Sequence, residues 1–138
     1  MDFSEKIRKA RMAKEMSQKE LAKATGLSER TIQNYELGSR LPKSRDTYVK
    51  LAEALDISTD MLLDDQASFI LTATENYGAR GRQQAIKLLD NFRASFAAAG
   101  GTFNDDDMDF MLDAITQTFK DAKEYNQRFR NTKKDGGE

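Results

Sequence analysis

The sequence predicts an all-α protein in which five short helices are followed by a helical hairpin. Three observations indicate this fold class. The 138 residues contain a single proline, Pro42. Most of the eight glycines stand where periodic segments end, not inside them. Apolar residues in both halves of the chain recur at intervals of three or four, which is the spacing of one helical face.

The five short helices are expected within residues 4–63, the first of them over residues 4–14. Each of the next four follows a serine, whose hydroxyl can accept a hydrogen bond from an N–H group of the first turn. These serines are Ser17, Ser28, Ser44 and Ser58. Glu20 completes a capping box with Ser17. Gly26 and Gly38 are placed at the ends of the second and third helices.

The second half of the chain is richer in phenylalanine and predicts longer helices. Residues 66–77 form a linker helix that Gly78 and Gly81 interrupt. Residues 82–99 and 104–129 each show an apolar stripe at helical spacing, and a Gly-Gly turn joins them. Two amphipathic helices joined in this way form a helical hairpin.

These elements divide the chain into three parts. Residues 1–65 are expected to form the N-terminal domain, and residues 66–131 the C-terminal helical region. Residues 132–138 are polar and glycine-rich at the end of the chain, so they are expected to be a disordered tail.

Composition narrows the classes of function. The chain has no histidine and no cysteine, so the common nucleophile–base triads and the usual zinc sites cannot be built, and nothing indicates export. No apolar run approaches the roughly 20 residues that span a bilayer, and the N-terminus lacks the apolar core of a signal peptide. We therefore expect a cytoplasmic protein that is not an enzyme and needs no cofactor.

The net charge of −1 conceals an uneven distribution of charge. Residues 3–50 carry twelve Lys and Arg against six Asp and Glu, whereas residues 51–65 carry five acidic residues and no basic one. Phosphate groups respond to a local surplus of basic residues more than to the net charge of a chain. The N-terminal half therefore favours a nucleic acid as partner.

Residues 18–37, QKELAKATGLSERTIQNYEL, are similar to the twenty-residue helix-turn-helix signature. Ala22 is small where two helices would cross steeply, and Gly26 suits a tight turn with positive φ. Leu21, Ile32 and Tyr35 would fill the space between the two helices. The residue type at each of these positions therefore has a physical reason in a helix-turn-helix motif.

The longer stretch from Ile7 to Leu63 resembles the Cro/C1 repressor family, also called the XRE family of bacterial and phage regulators. The resemblance includes SQKELA, ELGSRLP and LAEALDISTDMLL. It implies a five-helix, lambda-repressor-like DNA-binding domain. It also implies a sequence-specific transcriptional regulator that works as a homodimeric repressor by occluding a promoter.

The resemblance implies that residues 28–36 are the recognition helix. Advancing about 100° per residue from Ile32 places Tyr35 on the inward side and Arg30, Gln33, Asn34 and Leu37 on the outward side. Arginine suits a bidentate contact with guanine, and asparagine or glutamine with adenine. The residues expected to contact bases are Ser28, Glu29, Arg30, Gln33 and Asn34. Two interpretations of Glu29 are equally open. Its carboxylate accepts a hydrogen bond from a cytosine amino group, or it only stabilises the helix through the helix dipole.

Two further sets of residues follow from the family pattern. Glu36 falls toward the protein body, where the family commonly pairs this position with an arginine of the first helix, here Arg11. The residues expected to contact phosphates are Gln18, Arg40, Lys43, Ser44 and Arg45, and the alternative for the basic ones is a solvated loop. Such contacts would make DNA binding weaken steeply with salt.

A small helix-turn-helix module usually needs two copies on two half-sites about 34 Å apart, hence a palindromic operator. The hairpin is the expected source of the dimer, as one half of a four-helix bundle. The residues expected at the dimer contact are Phe92, Phe96, Leu112, Ile115 and Phe119. Three alternatives remain. The hairpin could pack back on its own chain, bind a partner protein as in an antitoxin or immunity-type regulator, or hold a small-molecule effector.

The acidic segment NDDDMD, residues 104–109, has part of the spacing of a calcium loop. However, Phe110 stands where that loop requires glycine, and Thr116 where it requires glutamate. Asn104 as an N-cap, followed by carboxylates in the first turn of a helix, explains the same residues. We therefore expect no metal site.

Overall fold

The computed structural model describes residues 1–101 and 104–135, except for the side chains of residues 105 and 129–135. This part of the chain contains seven α-helices and no strand, which confirms the predicted all-α fold class. The helices are α1 (Phe3–Ala13), α2 (Gln18–Thr25), α3 (Glu29–Leu37), α4 (Arg45–Ala54), α5 (Thr59–Leu62), α6 (Asp65–Ala98) and α7 (Asp105–Asp135). We call α1–α5 the N-terminal unit.

Side-chain caps fix where the short helices begin. The four predicted serines each accept a hydrogen bond from the N–H group three residues later, at 3.0 to 3.3 Å. Glu20 also accepts from the Ser17 N–H, which completes the predicted capping box. Gly26 and Gly38 end α2 and α3 with φ of 75° and 78°, in the left-handed region that glycine adopts without steric cost.

The N-terminal unit has its own apolar core, which holds α3 from behind. Its fully buried side chains include Ile7, Leu21, Ile32, Leu51 and Leu62. Phe3 packs edge-on against both Tyr35 and Tyr48, with ring centroids 5.7 and 5.3 Å apart. Edge-to-face packing is a favoured arrangement of aromatic rings, so these contacts help to fix α3 against α1 and α4.

Helix α6 belongs to two cores at once. Ala67 and Leu71 lie in the core of the N-terminal unit, whereas Phe69, Ile70 and Ala73 lie in a second core with α7. The first turns of α6 therefore join the N-terminal unit to the C-terminal helices by direct packing. The linker expected over residues 66–77 is helical, as predicted, but it is also a structural part of both cores.

One of the two expected glycine interruptions is present and the other is absent. Gly78 has φ 71° and ψ −161°, which kinks α6 between its two straight parts. Gly81 lies inside the helix and is buried. A Cβ atom at Gly81 would lie 2.8 Å from the Ala73 carbonyl oxygen and closer still to the Tyr77 Cβ, so a close approach and not a helix end requires glycine there.

The second part of α6 and α7 form the predicted hairpin across Gly100 and Gly101. Asn104 caps α7: its side chain accepts from the Asp107 N–H at 2.9 Å, and the Asp107 carboxylate accepts from the Asn104 N–H at 3.2 Å. The capping interpretation of the acidic segment is therefore correct.

Two residues expected at a dimer contact, Leu112 and Ile115, are instead buried within one chain, at 5 % and 4 % exposure. Phe119 is half-buried and packs edge-on against Phe69, and Phe92 is half-buried against the same core. The expectation was wrong for Leu112 and Ile115 because it treated the hairpin as two isolated helices. Residues 69–73 of α6 supply a third wall that covers their stripe.

The helix α7 continues to Asp135, so residues 132–135 are helical where a disordered tail was expected. Residues 136–138 of that tail lie outside the described residues. Over the part of the chain that the structure describes, no helix combines the length and the apolar character needed to cross a membrane.

Candidate nucleic-acid interface

The helices α2 and α3 pack as the helix-turn-helix pattern requires. Ala22 is buried at their contact, and Gly26 makes the turn between them. Ser28 caps α3, and Ile32 and Tyr35 face inward. Thr25, at a position that is more often aliphatic, is buried and donates its hydroxyl to the Leu21 carbonyl at 2.8 Å. The inward side of α3 is therefore fixed by packing at Ile32 and Tyr35.

The opposite side of α3 faces solvent. Arg30 and Gln33 are exposed, and Asn34 is half-buried. An arginine and a glutamine on one open helical face are side chains that can form bidentate hydrogen bonds with base edges. The structure thus places Arg30 and Gln33 where base contacts were expected, while Asn34 lies nearer to the protein body.

The first turn of α3 presents Ser28 and Glu29. Ser28 Oγ accepts from the Thr31 N–H at 3.1 Å and shares a 2.7 Å hydrogen bond with the Thr31 hydroxyl. Its hydroxyl is thus engaged in capping, which limits the hydrogen bonds that it can form with a base. Glu29 is exposed in the turn where a carboxylate favours the helix dipole.

Leu37 was not expected as a contact residue, although helical geometry already placed it on the outward side. Its side chain is 79 % exposed at the end of α3. An exposed apolar side chain on a recognition helix can contact the methyl group of thymine. The outward position of Leu37 follows from helical periodicity, whereas its role as a contact requires an apolar base group such as the thymine methyl.

Arg11 and Glu36 form the expected ion pair. Arg11 donates from Nε to Glu36 Oε2 at 2.9 Å and from Nη2 to Oε1 at 2.8 Å, and a third bond reaches the Met16 carbonyl at 2.8 Å. The two side chains are 15 % and 5 % exposed. The hydrogen bond with Glu36 raises the pKa of Arg11. Glu36 is therefore directed away from a nucleic acid on the outward side of α3.

The residues expected at phosphates surround α3 but differ in their freedom to bind. Gln18 is half-buried at the start of α2, and Arg40 and Lys43 are exposed in the loop of residues 38–44. Ser44 caps α4 through the Thr47 N–H. Arg45 is engaged elsewhere, because its guanidinium donates to both oxygens of Glu75 on α6.

Arg82 was missed by sequence reasoning. It is 8 % exposed and donates to the Leu41 carbonyl at 3.0 Å and to the Pro42 carbonyl at 3.4 Å. It therefore holds the loop that carries Arg40 and Lys43. Arg82 is spaced from Ala85, Ile86 and Leu89 as residues of one helical face are. An arginine within this otherwise apolar stripe is the feature of the sequence that indicates a buried position.

Comparison with known proteins agrees with this geometry. Residues 7–62 match a family model described as helix-turn-helix. The chain is 29 % identical over 121 residues to YqaE of Bacillus subtilis (strain 168), described as an uncharacterized HTH-type transcriptional regulator. That alignment covers 88 % of this chain and 96 % of the relative. No solved structure matches the chain significantly. The match over residues 7–62 thus confirms the predicted resemblance to the helix-turn-helix regulators of the Cro/C1 (XRE) type.

Proposed function

We propose that the protein is a DNA-binding transcriptional regulator that acts as a homodimeric repressor. The observation that carries the proposal is the two-sided character of α3. One side is locked to the core through Ile32 and Tyr35, while the other presents Arg30, Gln33 and Leu37 to solvent. The helix-turn-helix match and the regulator-type relative support the same class of function.

In this proposal the outward side of α3 lies in the major groove. Arg30 and Gln33 contact base edges, with Asn34, Glu29 and Ser28 at the margins of the contact. Each bidentate contact discriminates against a wrong base by roughly 1–3 kcal/mol. Gln18, Arg40 and Lys43 hold the phosphates on either side and set the register of α3 along the duplex.

Dimerisation is proposed through the hairpin, although not through the stripe first expected. The core of one chain already uses Leu112 and Ile115, so a second copy would meet apolar side chains that are exposed to solvent. Phe96 is 41 % exposed near the end of α6, and Phe110 is 87 % exposed in the first part of α7. A second copy that covers these two rings would hold two α3 helices on the two half-sites of a palindromic operator.

Repression by such a dimer requires occupancy and no chemistry. A protein bound across a promoter excludes the polymerase sterically, so no catalytic residue or cofactor enters the mechanism. We propose that the protein acts in the cytoplasm, where the DNA that it regulates lies.

The experiment that tests this function is selection of bound duplexes from a random pool, combined with sedimentation of the protein alone and with the selected DNA. We expect an inverted repeat whose half-site centres are about 10 base pairs apart, bound by two chains. A single asymmetric site bound by one chain would contradict the homodimer. A second polypeptide that co-purifies at equal stoichiometry from the native host would favour the partner-protein alternative instead.

A further inference from the structure

A cavity of about 510 Å³ lies between the N-terminal unit and α6. One wall is formed by the start of α1 and by residues 38–43 of the loop after α3. The other wall is formed by α6, on both sides of the kink at Gly78. Its volume is within the range of small-molecule sites, roughly 300–1,000 Å³, and such sites occur preferentially where two structural units meet.

Arg82 in the wall of this cavity is a buried cation that has no carboxylate partner among the residues that the structure describes. Its two hydrogen bonds go to neutral carbonyl oxygens, those of Leu41 and Pro42. It takes part in none of the ion pairs among the side chains that the structure describes. Because buried charges in proteins are normally paired, the position of Arg82 favours an anion in the cavity.

The carboxylates of the cavity wall contact other donors, and none of them forms an ion pair with Arg82 among the side chains that the structure describes. Asp2 caps α1. Asp64 accepts from the N–H groups of Phe3 and Ala67, at 3.0 and 2.6 Å. Asp90 lies 3.7 Å from Arg93, which also donates to Gln66. Among the side chains that the structure describes, Arg82 is therefore a buried wall cation that forms no ion pair with these carboxylates.

The rest of the cavity is suited to an organic molecule more than to a bare inorganic ion. Apolar side chains from both structural units line it, including Leu41, Ile70, Ile86 and Leu89. Arg40 and Lys43 add positive charge from the loop. Apolar walls with a few convergent polar groups are typical of small-molecule sites.

We propose that this cavity binds a small organic anion, whose carboxylate or phosphate group lies on the Arg82 guanidinium and whose apolar part packs against Ile70, Ile86 and Leu89. The anion competes with the Leu41 and Pro42 carbonyls for the donors of Arg82. Binding therefore alters the hold of α6 on the loop that carries Arg40 and Lys43. If the proposed function is correct, the ligand is an effector that changes DNA affinity through this loop.

The first experiment measures binding to the full chain without DNA. The probes are benzoate and phenyl phosphate, each compared with a neutral analogue, benzamide or phenol. We expect saturable shifts of the Leu41 and Arg82 backbone amides in NMR titrations with the anions, with dissociation constants below about 10 mM. The neutral analogues should bind at least tenfold more weakly. Absence of saturable binding by both anions, or equal binding of the neutral analogues, would overturn the site.

Two variants test the role assigned to Arg82. Arg82→Gln removes the charge and should abolish binding of benzoate, but it also disturbs the loop. Gln83→Glu is the sharper variant, because Gln83 is exposed, lines the cavity and leaves the contacts of Arg82 intact. The added carboxylate should weaken benzoate binding roughly fivefold or more. The matched control is Asn91→Asp, an exposed position of α6 outside this cavity, which should leave the affinity unchanged. Equal effects of the two acidic substitutions would contradict the site.

The second experiment measures affinity for the selected operator with and without saturating benzoate. We expect a change of about threefold or more, and an equal change in benzoate affinity when DNA is bound, because the coupling is reciprocal. If benzoate binds and DNA affinity is constant, the effector role fails while the site stands. If no DNA is selected at all, the proposed function fails, and the titration without DNA still decides the site.

Discussion

The guanidinium of Arg45 donates two hydrogen bonds to the carboxylate of Glu75, at 3.2 and 2.9 Å, and so joins the first turn of α4 to α6. On the other side of the Gly78 kink, Arg82 joins α6 to the loop before α4. One helix thus contacts the proposed phosphate-binding segment at two points. The geometry of that segment therefore depends on α6 as well as on the helix-turn-helix motif.

The Arg45–Glu75 pair predicts that Glu75 limits DNA affinity. Glu75→Gln removes a carboxylate that competes with phosphate for Arg45, so operator affinity should rise severalfold. The slope of log K against log salt should also steepen by up to about 0.9, the value of one phosphate contact. Fluorescence anisotropy at several salt concentrations measures both quantities. Glu53→Gln, an equal charge change at an exposed position of α4, is the control. The same gain in both variants would indicate a general charge effect.

The same pair predicts a pH dependence of stability. The hydrogen bond with Arg45 lowers the pKa of Glu75 below its ordinary value of 4.5, so the folded state binds this proton less tightly than the unfolded chain does. The stabilisation is complete above about pH 4.5 and is lost as the pH falls through the folded-state pKa. Both side chains are more than two-fifths exposed, so we expect less than about 1 kcal/mol. In urea unfolding near neutral pH, the free energy of unfolding should be higher for wild type than for Glu75→Gln. In acid the two values should become equal.

Arg30 and Lys43 are predicted to differ in the kind of binding that they provide. Arg30→Ala should cost about 1–3 kcal/mol and relax specificity at one base pair of each half-site. Lys43→Ala should weaken binding to operator and random DNA alike, and should flatten the salt slope by about 0.9. Binding to a panel of single-base operator variants separates the two effects. Intact specificity in Arg30→Ala would show that the recognition face has been assigned wrongly.

The exposed Leu37 predicts recognition of a thymine methyl group. Leu37→Ala should leave stability nearly unchanged, because the side chain is 79 % exposed, yet it should weaken operator binding by about 1 kcal/mol. Replacing each operator thymine in turn by uracil, which lacks the methyl group, supplies the partner half of a double-mutant cycle. At one position the replacement should weaken wild type but not Leu37→Ala. Additive losses at every position would argue against this contact.

The Arg11–Glu36 pair predicts a large effect on stability. Glu36→Ala leaves a mostly buried guanidinium without its carboxylate and should lower the free energy of unfolding by about 3–5 kcal/mol. Replacing both residues, as Arg11→Met with Glu36→Leu, should recover much of that loss, because no uncompensated charge remains. Urea titrations of the three proteins measure the difference. If the single and double variants were equally unstable, packing and not charge would be the main contribution of the pair.

The N-terminal unit could be predicted from the sequence because its signals are local. The serine caps, the Ser17–Glu20 capping box and the glycine at the end of α3 each depend on residues within one turn. The Arg11–Glu36 pair spans 25 residues, but a family pattern supplied it. The outward direction of Arg30 and Gln33 followed from helical periodicity, whereas the resemblance to the family implied that α3 is the recognition helix.

The contacts of α6 could not be predicted in this way because they join residues that are far apart in the sequence. Arg82 is 41 residues from the Leu41 carbonyl, and Arg45 is 30 residues from Glu75. Periodicity shows that a stripe is apolar but not what covers it. For this reason Leu112 and Ile115 were assigned to a dimer when residues 69–73 of the same chain cover them. Gly81 was predicted to interrupt the helix, because sequence alone does not reveal its close approach to Ala73.

Apart from Ser28, which caps α3 and also borders the proposed contact, the residues that build α3 are different from the residues that it presents outward. Ser28 and Gly38 set its ends, and Ile32 and Tyr35 fix its inner side. The exposed outward side chains can therefore be exchanged without disturbing the core. Under the proposed function, a descendant of this gene could acquire a new operator through a few substitutions while its fold stayed constant. The same division makes the chain a scaffold on which operator preference can be redesigned one side chain at a time.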